Sequence, residues 1–161
     1  MIPHRIRPYF QITHQKQDDD GSLIEGKLTC CNAQDFEVLT AGKIKRSVFS
    51  KEHLLPMDDV LALNACCRRC EKRILLFDSR CDGYDQMEHE HPEPLKARKV
   101  ACSKCGGNAF SVTIKYEFPS IHDLETLGIT EIDNAFTWIW ITLKCNLCGK
   151  RYVNFLDYEA G

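Results

Sequence analysis

Two Cys-x-x-Cys pairs, Cys102-Ser-Lys-Cys105 and Cys145-Asn-Leu-Cys148, constrain this chain more than any other feature. A Cys-x-x-Cys segment curls into a tight turn that aims two sulfurs at one point. Two such turns supply four thiolates in a tetrahedron, the geometry of a closed structural zinc site. The 39 residues between the pairs, 106–144, are rich in β-branched and aromatic side chains and read as strands. A closed site leaves no position for water or substrate, so the pattern predicts a scaffold before a catalyst.

The remaining cysteines fit the same need. The chain has 161 residues, room for one ordinary domain or two small ones. A domain of half that length buries a modest core and depends on a metal or on disulfides. Ten cysteines, grouped in pairs rather than dispersed, suit metal. The first residues, MIPHRIRPYFQITHQKQDDD, hold no apolar run of the signal-peptide kind, and nowhere are there 18 consecutive apolar residues. The expectation is a cytoplasmic, reducing setting away from any membrane. Net charge is -2, from 21 basic and 23 acidic residues, which does not predict a general polyanion binder. Cutting after Pro92 leaves 13 basic and 15 acidic residues before it and 8 of each after it, so neither half makes a strong field.

The chain reads as two copies of one plan. Phe110 follows Cys105 by five residues and opens the run FSVTIKYEF; Phe36 follows Cys31 by five and opens FEVLTAGKIK. The segment FTWIWITLKCNLCGKRYVNF matches DDVLALNACCRRCEKRILLF, which places Cys145 and Cys148 on Cys67 and Cys70. The inner cysteines are 35 residues apart in the first copy (32–66) and 39 in the second, a difference that one loop absorbs. Strands are predicted over about 109–118, 135–143 and 152–156, with a helical turn near 122–127. Alternation puts Phe136, Trp138 and Trp140 on one face and Ile139, Ile141 and Leu143 on the other. Residues 82–99 are polar, carry Pro92 and Pro94, and read as a linker between an N-terminal module, 1–81, and a C-terminal module, 100–161. The stretch RPYFQITHQ reads as an edge strand of the first module, followed by an acidic turn.

This organisation resembles the zinc ribbon, or rubredoxin-like, fold: a three-stranded antiparallel sheet with two cysteine knuckles around one metal. The likeness covers about 100–157 well and 28–78 less well. Gly106 and Gly149 follow the second cysteine of their knuckles, where that family often has glycine. The resemblance implies a mostly β protein of two tandem zinc-ribbon modules holding two zinc ions. Cys102, Cys105, Cys145 and Cys148 would hold one ion. The first module departs from the pattern, because Leu28 stands where Cys102 has its match. On the resemblance, Cys31, Cys67 and Cys70 would be three of its ligands. Cys30, on the correct knuckle, is favoured as the fourth, with Cys66, Cys81 and His53 as the other candidates. Adjacent cysteines on an extended chain point to opposite sides, so Cys30 and Cys31 share a metal only through an unusual turn.

Other chemistry is thin. His89-Glu-His91 reads as a solvated loop, and Asp58-Asp59, Glu131 and Asp133 as turn acids. No phosphate loop or nucleophile motif is present. Trp138 and Trp140 read either as core or as an exposed platform, and Arg68 and Arg69, inside a knuckle, either offset thiolate charge or form part of a binding surface. The expected function is a non-catalytic zinc scaffold for a protein partner. The alternatives are a nucleic-acid-binding ribbon and, since iron shares the four-thiolate geometry, a rubredoxin-like electron carrier.

Overall fold

A computed structural model describes residues 1–46, 51–84, 95–130 and 132–160. Antiparallel strands dominate: β1 (Phe10–Asp18), β2 (Gly21–Leu28), β3 (Phe36–Ala41), β4 (Lys43–Arg46), β5 (Glu52–Leu55), β6 (Ala62–Cys67), β7 (Arg73–Asp78), β8 (Arg98–Lys99), β9 (Phe110–Pro119), β10 (Trp138–Cys145) and β11 (Arg151–Glu159). One short helix, α1 (Ile121–Thr126), follows β9 and is capped by the Ser120 hydroxyl, which accepts from the Asp123 N–H. The histidines at 89 and 91 and the acid at 131 lie outside the described residues.

Two runs of three antiparallel strands lie within the fold. β3, β6 and β7 pair in order, as do β9, β10 and β11. Their details correspond. Phe36 pairs with Cys67, and Phe110 with Cys145. The register slips between Leu63 and Asn64 in one meander and between Ile141 and Leu143 in the other.

The expectation of two small separate sheets does not hold. Nine strands form one sheet, in which β9 pairs with β2 on one side and β10 on the other, and touches β3 through Phe36 and Phe110. The predicted edge strand near the N-terminus exists as β1, but its partner is β2, and β2 lies on β9 of the C-terminal half. The chain crosses between halves because β2 alternates: Ser22, Ile24, Gly26 and Leu28 are buried while the residues between them face outward. That stripe needs a core to cover, and β9 supplies one with Val112, Ile114, Tyr116 and Phe118. Among the described strands, β4 and β5 stand apart as an antiparallel pair packed near β11.

One apolar cluster runs through both halves. Phe77 of β7 lies 4.8 Å from Tyr158 of β11 and 6.4 Å from Phe136, ring to ring. The N-terminal segment is held beneath it. Ile2 and Ile6 are buried, and the Arg5 guanidinium donates both to the fully buried Asp82 carboxylate and, at 3.0 Å, to the Leu75 carbonyl. Phe136 belongs to this core, which corrects its assignment to the tryptophan face: it precedes β10, whose outward alternation begins at Trp138.

Candidate metal centres

Both sets of four cysteines converge. The sulfurs of Cys30, Cys31, Cys67 and Cys70 all lie within 4.8 Å of one another, and so do those of Cys102, Cys105, Cys145 and Cys148. Four sulfurs at ~2.3 Å from a common centre in a tetrahedron stand roughly 3.8 Å apart. The closest pairs match that edge: Cys30 to Cys31 3.8 Å, Cys30 to Cys70 3.5 Å, Cys102 to Cys148 3.6 Å and Cys105 to Cys145 3.6 Å. A disulfide would bring two sulfurs to ~2.05 Å, so these are free thiols arranged as a donor set.

Three of the four turns share one local geometry. In Cys102–Gly106 the Gly106 N–H donates to the Cys102 carbonyl at 2.7 Å; in Cys145–Gly149 the Gly149 N–H donates to Cys145 at 2.9 Å; in Cys67–Glu71 the Glu71 N–H donates to Cys67 at 2.8 Å. Each needs a left-handed residue at the end, with φ of 74°, 75° and 61°. The fourth turn solves the adjacent-cysteine problem differently. Cys30 and Ala33 exchange two backbone hydrogen bonds of 2.9 Å, and the two residues between them, Cys31 and Asn32, both adopt positive φ, 53° and 57°. That is a primed two-residue hairpin turn. It reverses the chain between Cys30 and Ala33, and the left-handed Cys31 brings its sulfur within 3.8 Å of that of Cys30.

The other candidates for the fourth position lie elsewhere. Cys66 donates to the Glu71 carbonyl, Cys81 is buried beside Asp82 and Asp78, and the His53 ring sits against the Asn154 carbonyl. Burial, with those two carboxylates, pushes the Cys81 thiol up to about 11.

Each cluster has one sulfur poised to ionise first. The Lys72 N–H, then the Cys31 and Cys30 thiols, hydrogen-bond to Cys70 and bring it down to about 7. At Cys102 burial is the largest influence and acts upward. Hydrogen bonds from the Tyr152 hydroxyl, at 3.2 Å, and from the Cys105 and Lys104 amides outweigh it, and the thiol falls to about 6. Burial raises Cys30, as does hydrogen bonding to the sulfurs around it. Four clustered thiols resist holding four negative charges unless a cation replaces their protons.

A ring of polar groups around the second cluster was not legible from spacing. The Tyr152 hydroxyl donates to Cys102 and accepts the Ser103 N–H at 2.9 Å. The Ser103 hydroxyl donates to Glu52, from the β4–β5 pair, at 2.9 Å, and accepts from Lys150 at 2.7 Å. Glu52 also pairs with Arg46 at 2.9 Å. Burial acts to raise its carboxyl, and the Arg46, Ser103 and Lys150 contacts hold it below its ordinary value.

The remaining predicted residues lie as follows. Arg68 donates to Asn108 at 2.5 Å and pairs with Asp35 at 3.7 Å, and Arg69 donates to the Cys31 carbonyl at 2.8 Å, so both tie parts of the molecule together. Trp138 and Trp140 are half-buried and stacked, with ring centroids 5.4 Å apart and planes 9° from parallel. Trp138 donates to Asp157 at 2.6 Å, and the Lys115 ammonium lies 4.2 Å over the Trp140 ring. Among the described residues no helix is long and apolar enough to cross a membrane.

Fold and clusters together define an antiparallel β protein with two four-cysteine sites able to hold metal ions. No protein family, curated protein or solved structure matches the chain.

Proposed function

We propose that this chain is a non-catalytic scaffold built from two copies of a zinc-ribbon plan, each closed on one zinc ion, and that it presents its rigid outer surface to a protein partner. The observation that carries the reading is the pair of four-sulfur clusters with tetrahedral spacing. Cys30, Cys31, Cys67 and Cys70 would hold one ion, and Cys102, Cys105, Cys145 and Cys148 the other. A bound zinc would hold the strand ends in register. Four protein thiolates complete its shell and leave no place for substrate. Glu52, whose carboxylate joins the polar groups around the second cluster, is occupied by Arg46, Ser103 and Lys150.

A protein partner is preferred to nucleic acid for an electrostatic reason. Three carboxylates and one ammonium flank the outward tryptophans in register: Glu117 and Glu159 beside Trp138, and Asp157 and Lys115 beside Trp140. Those carboxylates repel a phosphate backbone, while a stacked aromatic pair with polar neighbours suits a polypeptide anchor. Elemental analysis of protein purified without chelator tests the metal: two zinc per colourless chain is expected, whereas red protein with iron would move the reading to electron transfer. A gel shift that weakens steeply with salt would move it to nucleic acid.

A further inference from the structure

On the outer face of the sheet, beside the Cys145–Cys148 knuckle, lies a cavity of about 270 Å³ lined by Lys27, Lys144, Arg151, Ser111, Thr113 and Thr142. The register explains how they meet. Lys144 of β10 is directly opposite Arg151 of β11 and Ser111 of β9, and one row along Thr142 is opposite Thr113, which is opposite Lys27 of β2. Like charges directly opposite on neighbouring strands destabilise a sheet. Lys144 and Arg151 nonetheless face each other, with Lys27 lining the same cavity. None of the three side chains makes an ion pair or hydrogen bond with a described residue, although the protein ties up cations elsewhere, at Arg5, Arg46, Arg80, Lys99 and Lys150. Asp35 stands near the rim, next to Gln34, and is taken by Asn146 at 2.9 Å and Arg68 at 3.7 Å.

The hydroxyls complete the donor set. Thr142 accepts the Asn154 N–H at 3.1 Å, so its own proton is free to donate. The Thr113 hydroxyl has no hydrogen bond within the described structure. Ser111 differs, since its proton is committed between the Gln34 carbonyl and Asn146. Three cations and two free hydroxyl donors around one recess form an oxyanion site: the guanidinium supplies paired donors, the ammoniums supply point charge and the threonines fix orientation.

We propose that this cavity binds one phosphate group, as inorganic phosphate or as a phosphomonoester. The extent of the charge sets the size of the ligand. One row beyond Thr142 the same face carries Glu25, Lys115, Trp140 and Asp157, and the next row carries Glu117, Trp138 and Glu159. A polyanionic strand crossing it would meet those four acids, whereas a single phosphate stays among Lys27, Lys144 and Arg151 and meets no carboxylate but Asp35, which Asn146 and Arg68 already hold. The proposal is independent of which metal the cysteines hold.

The test uses the full chain with its metal bound. Inorganic phosphate, phosphoserine and single-stranded oligo-dT of increasing length are titrated by calorimetry. Saturable binding of phosphate or phosphoserine at one site is expected. Arg151→Gln and Lys27→Gln should each weaken it by ~10-fold or more, as loss of a charge-assisted contact does, and Lys45→Gln on β4 should leave it unchanged. Lys27 is exposed on β2, a different strand from Arg151, so its variant keeps the test alive if Arg151→Gln misfolds. Phosphoserine tighter than phosphate identifies a monoester ligand; equal affinities identify the free anion. Absence of saturable binding, equal affinity in all three variants, or oligo-dT affinity that climbs with length overturns the proposal.

Discussion

Residue 71 shows how one backbone position separates the two halves. Gly106 and Gly149 end their knuckles at φ of 74° and 75°, and a Cβ at either would meet nothing within 4 Å. Replacing either by alanine therefore costs only backbone strain, about 1 kcal/mol. Glu71 occupies the same place in its turn at φ 61° and already carries that strain. Glu71→Gly should stabilise the metal-loaded protein by ~1 kcal/mol, and Gly149→Ala should destabilise it by about as much. Denaturant midpoints at fixed metal concentration measure both. A neutral or lower midpoint for Glu71→Gly would mean that side-chain contacts of Glu71 offset its backbone. The sequence displayed the glycines and the intact cysteine spacing, and those residues do lie at the clusters. It could not display the Cys31–Asn32 turn, because positive φ at two non-glycine residues leaves no compositional mark beyond the asparagine.

At the scale of the element, each meander ends in cysteines, and the strands are only as firm as their closure. Cys145 is fully buried at the end of β10, where it pairs with Phe110. Cys145→Ser should remove one ion and open β9–β10–β11, because a structural zinc contributes on the order of 10 kcal/mol, comparable with a whole domain's stability. Cys66→Ser should retain both ions, since that thiol only reaches the Glu71 carbonyl. Metal content and thermal melts of the two variants decide it; two ions retained in Cys145→Ser would exclude Cys145 as a ligand. The half-exposed tryptophan stack belongs to the same element. Trp140→Ala strips the partner from Trp138 and Lys115 but opens no interior cavity, so it should cost well under the ~3–5 kcal/mol of a core aromatic. A loss that large would place the stack in the core after all. Alternation along β10 was legible, because period two is a local property. The breaking of that alternation at Phe136 was not, since it depends on Phe77, Tyr116 and Phe118 arriving from other strands.

At the scale of the molecule, internal likeness between the halves argues for two modules, while the contacts join them. Local spacing marks a repeat but carries no information on which strand a free edge will take. β9 could have stayed an edge; instead β2 covers it, because both bury one face on the same cluster. The aromatic rings make the joint specific. Phe77 belongs to the first half and packs on Phe136 and Tyr158 of the second. The chain's two tryptophans are both in the second half, so they report on that half alone. Phe77→Ala removes a fully buried ring and should cost ~3–5 kcal/mol. If the halves fold as one unit, unfolding followed by tryptophan fluorescence should move to lower denaturant by the same amount as unfolding followed by far-ultraviolet circular dichroism. Independent modules would instead leave the tryptophan transition where it stands in the parent protein, with the loss confined to the dichroism signal of the first half. Coincident shifts would make the seam between β2 and β9 part of one cooperative core; a stationary tryptophan transition would show that the shared sheet couples the halves in space without coupling them in stability.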